Sequence, residues 1–140
     1  EDNYYKPGVP VLSHAVLLEK MLEHFQLEGK QGLLDIVYSK TLEKSQIASF
    51  ARVVAQCAKE GDALARRVMD RAGRHLGRMI LSILPKVDKA LLAQPGGLKI
   101  VAVGSVWHSY DLLKPAMGAF LQSEACTSLG LTAYQIVTLK

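Results

Sequence analysis

Apolar residues recur along this chain with two periods, and the change from one to the other divides it. From Ser13 to Phe25, Val16, Leu17, Met21, Leu22 and Phe25 share one helical face, which predicts a helix with Ser13 as its N-cap. Gly29 and Gly32 interrupt the pattern, and the run Leu33, Leu34, Ile36, Val37, Tyr38 fits either a short helix or a short strand. A second helix is expected from the cap Ser45 to Glu60, stopped by Gly61. Its residues Ile47, Phe50, Ala51, Val53, Val54, Cys57 and Ala58 cover most of the circumference and leave Ser49, Arg52, Gln56 and Lys59 as a wet strip. Such a helix should lie between neighbours rather than on a surface. Asp62 then caps a helix over residues 63–84, ended by Pro85, with an apolar face of Ala65, Val68, Met69, Ala72, Leu76, Met79, Ile80 and Ile83.

Beyond a short helix at 88–93 and the turn Gln94-Pro95-Gly96-Gly97, the period shortens. Leu98 to Val103 is an almost unbroken apolar run between Gly97 and Gly104, the pattern of a strand buried on both faces of a parallel sheet. A helix over 109–122 follows, with Tyr110, Leu113, Met117, Phe120 and Leu121 inward, and residues 133–139 form a second strand. The fold class is α/β: a helix-rich segment closed by a β-α-β unit. Two parallel strands do not make a stable sheet alone, so the sheet is expected to be incomplete here and the chain to belong to a larger protein. The alternative is that the 33–38 run supplies a third strand and the domain closes on itself. Residues 1–12, with Pro7, Gly8 and Pro10, read as an extended lead-in, and residues 13–140 as one segment.

Composition narrows the classes. Of the 140 residues, 49% are hydrophobic and 21% charged, which fits a globule and excludes a low-complexity or disordered chain. The net charge of +4 permits an anionic ligand but gives no reason to expect nucleic acid or membrane as a partner. No run of 18 apolar residues is present. The first residues lack the basic and apolar regions of a signal peptide and lack a starting Met, which reads as processing or excision from a longer chain. Cys57 and Cys126 stand far apart without a CxxC partner, the usage of a reducing, intracellular compartment, and read as small buried hydrophobes. His14, His24, His75 and His108 show no metal-binding spacing.

The strand-to-helix junction Val103-Gly104-Ser105-Val106-Trp107-His108-Ser109 carries the clearest chemistry. Open parallel sheets bind ligands beyond the carboxyl ends of their strands, where Gly104 admits a ligand to the backbone and Ser105 and Ser109 offer hydroxyls. The plain structural reading is a tight turn whose serines cap a helix. Neither GxGxxG nor a Walker loop occurs in the chain. Arg67, Arg71, Arg74 and Arg78 form a narrow stripe on the helix over 63–84, read as a solvated face with Asp70 pairing to Arg74 or Arg67. Gly73 and Gly77, one turn apart, read as a place for close helix packing. Trp107, beside a buried strand, reads as core.

VGSVWHSYDLLK, residues 103–114, resembles the matching stretch of eukaryotic N-acetylglucosamine kinases. IASFARVVAQCAKEGDALARRVMDRAGRHLGRMI, residues 47–80, resembles that family's helical pair, and HFQLEGKQGLLDIVYSK has the same look more weakly. The likeness covers most of residues 14–114. It implies a C-terminal-lobe segment of the sugar-kinase, Hsp70 and actin superfamily, in which two ribonuclease-H-like lobes close over ATP. It further implies cytoplasmic phosphorylation of N-acetylglucosamine at its 6-hydroxyl with ATP and Mg2+, and a homodimeric full-length protein. Carried over by position, the implied nucleotide contacts are Ala48, Ser105 and Ser109, with Gly104 admitting the ligand. Ala48 falls in the first turn of its helix, where a small side chain lets a flat base approach. The family's phosphate loops, catalytic aspartate and sugar-binding residues have no counterpart in this chain, so no catalytic base is assigned. Rival readings are a BadF/BadG-type ATPase, another amino-sugar kinase, or a non-enzymatic helical module using the arginine stripe.

Overall fold

A computed structural model of the chain describes residues 12–39 and 43–138. The predicted lead-in lies, Leu12 aside, outside them. The fold is mixed α/β, rich in helix, with a small parallel sheet. The chain forms two compact units, residues 1–67 and 68–140.

The first unit holds α1 (Ala15–His24), α2 (Lys30–Tyr38), α3 (Lys44–Glu60) and the opening turn of α4 (Ala63–Ile83). Local hydrogen bonding sets their ends. The N-cap of α1 is His14 rather than the expected Ser13, whose hydroxyl accepts from the Ala15 N–H at 3.3 Å from one residue earlier. Gln26 (φ 54°) ends that helix, with the Leu27 N–H on the Leu22 carbonyl and the Gln26 N–H on that of Glu23. A glutamine in the left-handed region here does what glycine does elsewhere. The cap of α3 is Glu43 rather than Ser45. The Glu43 carboxylate and the Gln46 amide satisfy each other's backbone N–H, while Ser45 Oγ donates to Glu43 at 3.2 Å from inside the first turn. Gly61 (φ 103°) closes α3, and Asp62 Oδ1 accepts from the Ala65 N–H at 2.7 Å to open α4. Leu17, Val54, Ala55, Cys57, Ala58 and Ala65 are buried.

Two readings are corrected in this unit. The ambiguous 33–38 run is helix, so it supplies no third strand; α2 buries no residue, and Tyr38 is 83% exposed. The broadly apolar α3 is buried only in its C-terminal half. Ile47, Ala48 and Ala51 are exposed within the described residues.

The second unit continues α4 into a 3-10 turn, Leu84–Lys86, where Pro85 ends the α-helical pattern. It then runs through α5 (Lys89–Leu92, capped by Asp88 Oδ1), β1 (Leu98–Ala102), a 3-10 turn (Ser105–Ser109), α6 (Tyr110–Leu121), α7 (Glu124–Thr127) and β2 (Tyr134–Thr138). The strands are parallel, with Leu98 opposite Tyr134 and Ala102 opposite Thr138. A side chain at Gly97 (φ 81°) would collide with the Ala133 carbonyl, so glycine is required where the two strands begin together. Ile80, Leu84, Leu98, Met117, Leu121, Cys126 and Leu131 form the buried core, joining α4, β1, α6 and α7.

Gly73 and Gly77 serve close packing as expected. A Cβ at Gly73 would strike the Leu113 carbonyl, and one at Gly77 would lie 2.8 Å from the Phe120 ring. This approach turns the contact line beyond residue 72 by roughly a quarter turn, onto Gly73, Gly77, Ile80 and Leu84. Met79, read as core, is therefore 66% exposed, and Ile83 is exposed as well. The strand read as buried on both faces is covered on one. Leu98 and Ala102 face the core, whereas Val101 is 56% exposed and its partner Val137 is open too. Nor is the arginine stripe a freely solvated face. Arg71 and Arg74 are half-buried, Arg71 Nε donates to His75 Nε2 at 3.3 Å, and Asp70 makes no ion pair with Arg74.

Candidate functional site

The site follows from how the β1 ladder ends. Pairing stops at Ala102, and two residues later Gly104 adopts φ 106°, ψ 161°. That conformation is accessible essentially to glycine alone, so the sequence can turn here only at this residue. A Cβ built on Gly104 meets nothing within 4 Å, so the space above its backbone is open. From there the chain winds through the tight 3-10 turn Ser105–Ser109 and passes directly into α6.

Ser105 is exposed and Ser109 half-buried. Ser109 occupies the N-cap position of α6, yet its hydroxyl makes no cap hydrogen bond. The capping role that a sequence reader would give these serines is therefore not the one they play, and both hydroxyls are left for another partner. Asp111 puts a carboxylate in the first turn of α6. A negative charge there satisfies the helix N-terminus and repels a phosphate. The junction suits neutral, hydroxyl-bearing or aromatic ligand groups better than a phosphoryl group.

Aromatic side chains lie under the turn. The Trp107 and Tyr110 rings are 5.8 Å apart at 46°, and both, with Tyr134, pack against the buried core. Burial pushes the Tyr110 phenol above its usual range, with the neighbouring Tyr134 adding to the effect; burial alone raises Tyr134. Gly118 makes room for Tyr134, whose hydroxyl would sit 3.2 Å from a Cβ at that position. Sequence reading placed Trp107 in the core and Tyr110 on the inward face of its helix, as observed, but missed their pairing and the part played by Tyr134. The Trp107-x-x-Tyr110 spacing was the available signal, because residues three apart line up on a tight turn.

Ala48 belongs to the other unit. It is exposed, as a ligand contact must be, and with α3 starting at Lys44 it opens the second turn rather than lying in the first. Next to it in sequence, Ser49 Oγ gives its proton to the Gln46 carbonyl at 2.6 Å and so accepts from His24 Nε2–H at 2.8 Å. The His24, Phe25 and Phe50 rings cluster with centroids 4.9 to 5.8 Å apart. Gly104, Ser105 and Ser109 are thus brought together on one turn, and Ala48 is held separately on a capped helix. Cys57 and Cys126 are buried free thiols. Among the described residues no three His, Cys, Asp or Glu side chains form a metal-binding group, and no helix is long and apolar enough to cross a membrane.

No protein-family model matches the chain. Over 100 residues it is 24% identical to an N-acetylmuramic acid/N-acetylglucosamine kinase of Clostridium acetobutylicum. The aligned stretch covers 69% of this chain but 31% of that kinase, so the matched part spans less than a third of the relative's length. The likeness is to a sugar kinase, at long evolutionary distance.

Proposed function

We propose that this chain is the nucleotide-contacting part of an ATP-dependent amino-sugar kinase, built on a ribonuclease-H-like C-terminal lobe, that phosphorylates N-acetylglucosamine at its 6-hydroxyl. The observation that carries the reading is the Gly104 junction. At the carboxyl end of a parallel strand pair, a glycine-only turn opens space over the backbone and presents two serine hydroxyls that cap nothing. The distant likeness to a kinase whose name includes N-acetylglucosamine supports the same class.

In this reading Ser105 and Ser109 hydrogen-bond the ribose or the base edge and Gly104 lets that group reach the backbone, while Ala48, exposed on α3, is a separate candidate nucleotide contact. The residues fit such a ligand because they are small, neutral and open, while Asp111 keeps phosphate charge away from the helix end. Mg2+ finds no ligand cluster among the described residues; it would arrive on the nucleotide's phosphates, where it supplies charge neutralisation for phosphoryl transfer. The chain's contribution is positioning, the larger part of catalysis in this reaction class.

The test is a steady-state assay of the full-length protein with ATP and a panel of amino sugars that includes N-acetylmuramic acid. Ser105→Trp should raise the KM for ATP by about tenfold or more and leave the KM for the sugar within about twofold. Equal effects on both, or ATP hydrolysis that no sugar stimulates, would refute the reading. The 140-residue chain alone should bind nucleotide weakly and transfer no phosphoryl group.

A further inference from the structure

On a 3-10 helix, with three residues per turn, the five residues Ser105–Ser109 fall on three rows. Ser105 shares a row with His108, Val106 shares one with Ser109, and Trp107 stands alone on the third. Ser105, Val106 and His108 are open to solvent, Ser109 is half-buried, and Trp107 alone sends a large side chain inward to the core formed by Leu98, Met117, Leu121 and their neighbours. The backbone adds one bond to this anchor, the Trp107 N–H to the Gly104 carbonyl at 3.3 Å. The indole also meets Tyr110, the first residue of α6, which packs against the same core.

Among the residues of the turn, Trp107 is the one whose side chain packs against the buried core, and its carbonyl accepts the Tyr110 N–H. Gly104 has no Cβ to hold it, and neither serine is tied down by a cap bond. With the 3-10 rows rigidly spaced, wherever the indole sits, Ser105 and Ser109 are aimed. We propose, resting on the nucleotide reading above, that Trp107 is a positioning residue: its indole, packed against the core and against Tyr110, fixes the rotation of the turn and so aims both serine hydroxyls at the nucleotide. A flat, wide ring is suited to this because it resists rolling about the turn axis. A flexible aliphatic chain of similar hydrophobicity fills space without setting a rotation.

The experiment compares wild type, Trp107→Phe, Trp107→Leu and Trp107→Ala in the full-length protein, with Ser105→Trp as the reference. Positioning predicts that the KM for ATP rises in the order Trp, Phe, Leu, Ala, reaching about tenfold or more in the last, since small displacements of a positioning group carry effects of that size. The KM for the sugar and the kcat at saturating ATP should stay within about twofold, and Phe should restore most of the loss. A purely structural tryptophan would lower the yield or kcat of active enzyme and leave both KM values alone, which overturns the proposal. If Trp107→Ala does not fold, Phe and Leu still decide, because equal KM values for ATP in those two and wild type also overturn it. Should Ser105→Trp leave the KM for ATP unchanged, the nucleotide reading fails and takes this inference with it. A normal Ser105→Trp response with silent Trp107 variants removes only the positioning role.

Discussion

Ala48 and the Ser105–Ser109 turn, the two places where nucleotide contacts were expected, are held in opposite ways. Ala48 rides on a regular helix whose start is fixed by Glu43 and Gln46 and whose end is fixed by Gly61, all within the same stretch of chain. The serines ride on an irregular turn whose shape depends on one glycine dihedral and one indole seated in a core drawn from α4, β1, α6 and α7. A locally specified contact tolerates change in its surroundings, whereas one held by tertiary packing transmits it. The lesson is that damage far from the serines should reach them, and damage far from Ala48 should not.

The largest expected break of this contrast is Leu113→Ala. Leu113 is fully buried on α6, and its removal should destabilise the second unit by about 2–5 kcal/mol, read as a fall in the denaturant midpoint. Gly104→Ala comes next. The backbone conformation there excludes a side chain even though space is free, so about 1–3 kcal/mol should be lost together with nucleotide affinity. An alanine variant with unchanged melting and unchanged ATP affinity would show the turn to be adaptable after all. On the other side, Glu43→Ala removes half of a capping box and should cost about 0.5–2 kcal/mol, fraying the start of α3 without altering Ser105 or Ser109 contacts. Nuclear magnetic resonance shifts confined to residues near 43–49 would bear this out.

The smallest effect is a pH dependence. Burial holds the Tyr110 and Tyr134 phenols above their usual range in the folded protein, so unfolding lowers their pKa values. The stability they retain is complete below the unfolded value, about pH 10, and is lost as pH rises through the folded values. Tyr110→Phe should flatten this alkaline decline in a melting series from pH 8 to about pH 11. The same slope in wild type and variant would assign the decline to other groups.

Much of the fold was legible because its signals are local. Gly61 and Asp62, Asp88, Pro85 and the Gly96-Gly97 turn mark element ends whose hydrogen bonds close within a few residues. Where tertiary contact decides, the pattern misled. The face of α4 followed its glycines rather than its largest apolar residues, because a helix packs closest where side chains are missing. The two-sided burial read from β1 fails at Val101, since an apolar run records the faces a strand can bury and not the layers present to cover them. In the same way, Gly104, Ser105 and Ser109 could be picked from the one-dimensional pattern. That the Ser109 hydroxyl forms no cap bond, and that Trp107 pairs with Tyr110 beneath the turn, could not.

By itself, then, the amino-acid sequence determined the order of the longer helices and of the two strands, the element ends at Gly61, Asp62, Pro85 and Asp88, and the place where a glycine must turn the chain. These depend on dihedral preferences and on hydrogen bonds between near neighbours. The tertiary structure alone decided which face of α4 is buried, which side of the sheet stays open and that the serine hydroxyls form no cap bond. Each of those is settled by residues distant in sequence competing for the same space, and no short-range preference records the outcome of that competition.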